Sequence, residues 1–90
     1  MAKREITCVK KDAYGKITHI GGYWGLGGAK EIIPESDGIR DLTPPVTNTY
    51  YVKVSGYDVP VIIAHRNGVP YLRTDPDHST TDNLANRPNC

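Results

Sequence analysis

The chain has 90 residues, a formal net charge of +1, 38% hydrophobic residues and no Phe. One small domain, residues 1–90, fits that length and two do not. No apolar run approaches the roughly 20 residues of a bilayer-spanning helix. The charged start Lys3-Arg4-Glu5 has no apolar signal core, and a near-neutral charge argues against a dedicated DNA-binding domain. The expectation is a cytoplasmic protein with no membrane contact. Two cysteines, Cys8 and Cys90, are too few for a disulfide framework and read as thiols in that compartment.

In chain order, β-branched residues make Arg4–Lys11 one strand. Asp12-Ala13-Tyr14-Gly15 is turn chemistry, and Lys16–Ile20 is the returning strand. A four-residue loop would set Lys11 opposite Lys16 and Cys8 opposite His19, with Ile6, Cys8, Ile17 and His19 on one side. The glycine-rich stretch Gly21–Gly28 is a loop carrying Tyr23 and Trp24. Lys30–Ile33 reads as a short strand or one helical turn. Ser36–Leu42 carries a short helix signal, with Ser36 as N-cap and Pro44-Pro45 as the stop; whether a longer helix forms within 26–45 stays open.

Thr49–Val54 is a strand with Tyr50, Val52 and Val54 on one face. Val59–His65 is apolar on both faces near Val61-Ile62-Ile63, as a central strand would be. Asn67-Gly68 is the favoured pair for a type I′ hairpin, which sets Arg66 opposite Val69, Ala64 opposite Tyr71 and Ile63 opposite Leu72. Residues 75–90 form a polar tail that composition alone would leave disordered.

Four arrangements could carry chemistry. The glycine-rich loop fails both phosphate-binding spacings, because Lys30 stands where a third Gly is needed and Ala29 where a Lys is needed. Asp75, Asp77 and Ser79 begin like a calcium loop, but Thr80 and Asn86 stand at the positions of its Gly and Glu. Cys8 opposite His19 could activate a thiol, and with His78 and Cys90 could offer metal ligands, although no pair has zinc-site spacing. A buried thiol beside a hydrogen-bonded histidine explains the same residues. Lastly, Tyr14, Tyr23 and Trp24 could stack bases while Lys10, Lys11 and Lys16 hold phosphates, but in a chain without Phe these aromatics are equally needed to cover a sheet.

Read together, Ile17-Thr18-His19-Ile20-Gly21-Gly22, Tyr71-Leu72-Arg73-Thr74, Asp82-Asn83-Leu84 and the closing Pro88-Asn89-Cys90 resemble DUF3892, a family of small, mainly bacterial proteins of unknown function. The resemblance implies that His19, Asp82, Asn83 and Cys90 belong to a shared pattern and that the tail is docked with Leu84 buried. It brings no activity, ligand or cofactor. The chain departs from the family at Asn86-Arg87-Pro88, where a Leu commonly precedes the Pro, and in the Gly- and Pro-rich middle, where members often carry a helix-like segment.

The combined reading is an α+β domain, a mainly antiparallel sheet of about five strands with one short helix or helical turn in the middle. Its function reads as a non-enzymatic binding or interaction module with His19, Tyr23, Trp24, Asp82 and Asn83 as binding residues and no metal or cofactor. The alternatives are a thiol- or metal-dependent enzyme using Cys8 and His19, and a weak single-stranded nucleic-acid binder. A homodimer through an unpaired sheet edge, or another protein, is the expected kind of partner. Tyr23, Trp24, Tyr50 and Tyr71 must serve as large core residues, with His19 and Asn83 as candidate partners for their polar tips.

Overall fold

The computed structural model describes residues 2–76 and 83–90. Among these, seven strands form two sheets: a four-stranded sheet in the order β1-β5-β6-β7 and a three-stranded sheet in the order β2-β3-β4. The strands are β1 (Ala2–Glu5), β2 (Cys8–Lys11), β3 (Ile17–Gly22), β4 (Glu31–Pro34), β5 (Asn48–Val54), β6 (Tyr57–Arg66) and β7 (Val69–Thr74). One helix, α1 (Glu35–Leu42), lies between β4 and β5 in sequence. The α+β class and the predominance of antiparallel pairing are as the sequence suggests. The single five-stranded sheet is corrected to two sheets, and β1 pairs with β5 in parallel.

The expected strand Arg4–Lys11 is two strands in different sheets. The chain leaves the larger sheet after Glu5, buries Ile6 completely, and enters the smaller sheet at Cys8. Ile6 N–H still donates to Tyr51 O (2.8 Å) and Thr7 N–H to Gly21 O (2.9 Å), so these two residues stitch one sheet to the other. The β2–β3 register also differs from expectation: Cys8 faces Gly21 and Lys10 faces His19. A bulge between Lys10 and Lys11 and a wider turn cause the offset. Asp12 Oδ1 accepts the N–H groups of both Tyr14 and Lys16, which closes a loop one residue longer than the simplest turn.

The β6–β7 hairpin has the expected register throughout, from Arg66 opposite Val69 to Ile63 opposite Leu72. Asn67 (φ 53°) and Gly68 (φ 77°) supply the two left-handed residues that this turn demands. β6 is interior to its sheet, as its two apolar faces require. The helix begins one residue before the expected Ser36 cap: Pro34 is the N-cap and Glu35 the first helical residue. Gly38, unfavourable in a helix, sits where α1 meets the core. A Cβ there would come within 3.0 Å of Leu72 Cδ1 and 3.1 Å of Ile20 Cδ1.

One core is shared by both sheets. Val9, Ile17 and Ile20 come from the smaller sheet, and Tyr50, Val52, Val61 and Leu72 from the larger, with Ile6 between them. Leu84 of the C-terminal segment is 0% exposed and completes this cluster. That segment adds a parallel bridge between Asn89 and Val9 at the edge of β2. The described part of the tail is therefore docked, as the family resemblance implies. Cys8 and Cys90 form a disulfide with Cα atoms 4.9 Å apart, which corrects the expectation of two thiols. The tail bridge to Val9 brings Cys90 alongside Cys8, two cysteines separated by 82 positions in sequence.

Candidate functional site

The residues singled out from sequence do not gather at one place. His19 is half-buried on β3 between Lys10 and Pro34, and its Nδ1 lies 3.0 Å from Thr18 Oγ1. Since Cys8 faces Gly21 and is bound to Cys90, no Cys8–His19 couple forms. The backbone N–H of Asn83 donates to Thr74 Oγ1 (3.0 Å) at the end of β7. Asp82 and His78 lie outside the described residues. Among the described residues, no group of three or more His, Cys, Asp or Glu side chains could hold a metal ion.

Tyr23 and Trp24 do share a cleft with Lys3, Arg4 and Tyr51, but the fold already uses most of its chemistry. Trp24 Nε1 donates to Glu5 O (2.6 Å), and the ring meets Tyr50 edge-on with centroids 5.5 Å apart. Gly22 makes this possible, because a Cβ there would overlap Trp24 Nε1 and Glu5 O. Lys3 is paired with Asp58, and Arg4 with Asp41. Tyr23 stays exposed and is no core residue. The tips of Tyr50 and Trp24 find Asp41, Arg4 and the Glu5 carbonyl, not His19 or Asn83.

Tyr50 is the centre of that polar cluster. Its hydroxyl donates to Asp41 Oδ2 (2.5 Å) and accepts from Arg4 (3.0 Å). Burial first, and then the bond to Asp41, push the Tyr50 hydroxyl up to about 12. For Asp41, burial raises the pKa, but hydrogen bonds from Tyr50, Thr47 and Asn48 and the Arg4 charge together outweigh it. The carboxyl is held below its ordinary 3.8.

A larger cleft, of about 530 Å³, opens at the start of α1, between the β2–β3 turn and the β6–β7 hairpin. Its walls carry Tyr14, Lys16, Arg66 and Tyr71, and Glu35 lies at its floor. Glu35 is 8% exposed. The local reason is its place as the first residue of α1, directed at the outer side of β7, where Oε2 accepts the Leu72 N–H (3.3 Å). Burial raises its pKa, and the Leu72 bond and the Lys16 charge only partly offset this, so the carboxyl is pushed above its ordinary value of 4.5. Lys16 and Arg66 have no ion-pair partner among the described residues. The Arg66 guanidinium lies over the Tyr71 ring at 5.3 Å, while Tyr14 is 95% exposed.

Glu35 was not legible as a site residue. An acidic residue in the first turn of a helix ordinarily sits in water and complements the helix dipole. Only the three-dimensional approach of β7 buries it. The same contact bears on the expected edge-paired dimer. The outward N–H of Leu72 is held by Glu35, Pro70 has none, the tail bridges β2 at Val9, and Glu5 O on β1 is taken by Trp24, whereas β4, the fourth edge strand, carries none of these contacts.

The model of the protein family of unknown function DUF3892 matches residues 5–88. The chain belongs to the DUF3892 family. No curated protein and no solved structure matches it. Each of the four motif segments that carry the DUF3892 resemblance contributes residues with structural roles here. Gly21 and Gly22 of the I-T-H-I-G-G element give room to the Cys8–Cys90 sulfurs and to the Trp24–Glu5 contact. Leu72 and Thr74 of Y-L-R-T receive Glu35 and Asn83. Leu84 and Cys90 anchor the DUF3892 ending.

Proposed function

We propose that the protein is a small non-enzymatic binding module that takes a small organic carboxylate in the cleft floored by Glu35. The observation that carries this reading is a pair of cations, Lys16 and Arg66, that have no ion-pair partner among the described residues and line a cleft that also holds a buried carboxyl. Cations aimed at a concave, partly apolar surface fit an anion with an apolar body. Burial raises the Glu35 pKa, and in its protonated form the acid can donate to a ligand oxygen while its other oxygen keeps the Leu72 N–H. Tyr14 and Tyr71 offer ring surface for the rest of the ligand. No thiolate is on hand for covalent chemistry while Cys8 and Cys90 are joined.

The proposed setting is the cytoplasm; no helix among the described residues is long and apolar enough to cross a membrane. In a reducing compartment the Cys8–Cys90 bond would be transient rather than permanent.

The test is an NMR titration of the full chain with benzoate, with the neutral isostere benzamide as control. Benzoate should shift the amides of 14–17, Glu35, 66–69, Tyr71 and Leu72, and benzamide should not. Replacing both Lys16 and Arg66 by Ala should weaken benzoate binding by about tenfold or more. Affinity should fall as pH rises through the titration of Glu35, and that dependence should disappear in Glu35→Gln, whose amide is a permanent donor. Equal binding of benzamide, or shifts confined to Tyr23 and Trp24, would overturn the reading.

A further inference from the structure

The C-terminal segment, residues 83–90, is held at the end of β7, in the core and along β2, beginning with the Asn83 N–H that donates to Thr74 Oγ1 (3.0 Å). Leu84 is fully buried in the core. Val9 N–H donates to Pro88 O (2.9 Å), and Cys90 N–H donates to Val9 O (3.0 Å). The Cys8–Cys90 bond then closes the chain covalently. Gly21 makes room for this bond, since a Cβ there would lie 2.7 Å from Cys8 Sγ and 2.8 Å from Cys90 Sγ. The two ends of the disulfide differ in access: Cys8 is 5% exposed, and Cys90 is only partly covered. An incoming thiolate therefore reaches the Cys90 side.

The same segment reaches the Glu35 cleft. Ala85 lines it, and the Ala85 carbonyl accepts a hydrogen bond from Lys11 Nζ, at the base of the turn that carries Tyr14 and Lys16. Of the segment, Leu84 and the half-buried Ala85 alone join the core cluster, which otherwise runs through both sheets and α1. Its attachment is thus separable from the rest of the fold.

We propose that the Cys8–Cys90 bond is a reversible clasp, so that reduction by a dithiol frees residues 83–90 from β2 and removes one wall of the cleft while the two sheets stay folded. A thiolate of the dithiol attacks Cys90 Sγ, forms a mixed disulfide and expels Cys8 as a thiolate, which takes a proton. The second thiol of the dithiol then displaces Cys90. The protein gains two thiols, and the dithiol leaves as its own disulfide.

Hydrogen exchange on the full chain, oxidised and reduced with dithiothreitol, tests the clasp, with intact mass after alkylation to count thiols. On reduction, the amides of Val9, Cys90 and residues 84–87 should exchange at least about tenfold faster, while β5, β6 and β7 remain protected. Cys90→Ser should give the same pattern without reductant. Unchanged exchange at Val9 and Cys90 overturns the clasp. So does loss of protection across β5, β6 and β7, which would make the disulfide a staple for the whole fold. The consequence for binding rests on the cleft reading: reduction should weaken benzoate binding by about tenfold, and equal affinity in both forms overturns that coupling. Absence of benzoate binding from both forms counts against the cleft, while the exchange data still decide the clasp.

Discussion

Arg4, Tyr50 and Asp41 form one polar cluster near the end of α1, and Lys16, Glu35 and Arg66 line a cleft at its start. In the first, each group faces a partner: Arg4 and Asp41 meet across the Tyr50 hydroxyl, and Thr47 and Asn48 complete the Asp41 carboxyl. Its charges serve the fold, and Asp41 is stabilised as an anion. In the second, two cations have no ion-pair partner among the described residues, and the one carboxylate is destabilised by burial. A small domain that can satisfy a half-buried acid as fully as Asp41 has no folding reason to leave Glu35 in this condition. Polar groups held against the interest of stability mark functional sites more often than fully satisfied ones do.

Substitutions should separate the two clusters. The largest loss lies outside both. Leu84→Ala removes a fully buried anchor from the shared core and should cost about 2–5 kcal/mol in denaturant unfolding. Loss under about 1 kcal/mol would mean that the tail is not part of the core. Next, Tyr50→Phe leaves Arg4 and Asp41 facing a missing hydroxyl and should cost about 1–3 kcal/mol. It should also abolish the decline in stability that wild type shows as pH rises from 10 to about 12, where unfolded but not folded Tyr50 ionises.

Asp41→Asn should cost about 1–2 kcal/mol at pH 7. The Asp41 pKa is depressed on folding, so its contribution is complete above the ordinary aspartate range and is lost as pH falls through the folded value. Wild type and variant should therefore converge in acid. Parallel pH profiles would show that the charge contributes nothing. Trp24→Phe removes the donor to Glu5 O and should cost about 1 kcal/mol. Quantitative thermal unfolding would show whether Trp24 belongs with the structural cluster.

The parts of the fold that the sequence made legible are those fixed by local chemistry. Asn67-Gly68 sets the β6–β7 register because the turn admits few other pairs, and the doubly apolar Val61-Ile62-Ile63 marks the interior strand. Pro44-Pro45 stops α1 close to where it was expected. The parts that were hidden depend on distant contacts. Ile6-Thr7 reads as mid-strand, yet it is the crossing point between sheets, since a β-branched run looks the same in one sheet or two. The bulge at Lys10 and Lys11 moved Cys8 away from His19 and with it the thiol reading. Cys8 and Cys90 gave no sign of pairing, because only the tail bridge at Val9 brings them together. For the candidate site, Tyr23 and Trp24 were visible as aromatics on a glycine-rich loop, but the structural use of Trp24 was not. Glu35 stood out in no pattern, since its burial comes from β7.

The most direct test of the contrast is the pH dependence of unfolding free energy for wild type and Glu35→Gln. The Glu35 pKa is raised on folding, so the contribution of Glu35 to wild-type stability should be greatest below the ordinary glutamate range and should fall as pH rises toward the folded value. The glutamine keeps an acceptor for the Leu72 N–H without a charge to bury. Glu35→Gln should lack that decline and be no less stable than wild type at pH 7. A variant that is less stable than wild type at every pH would contradict the account, because Glu35 would then serve the fold as Asp41 does.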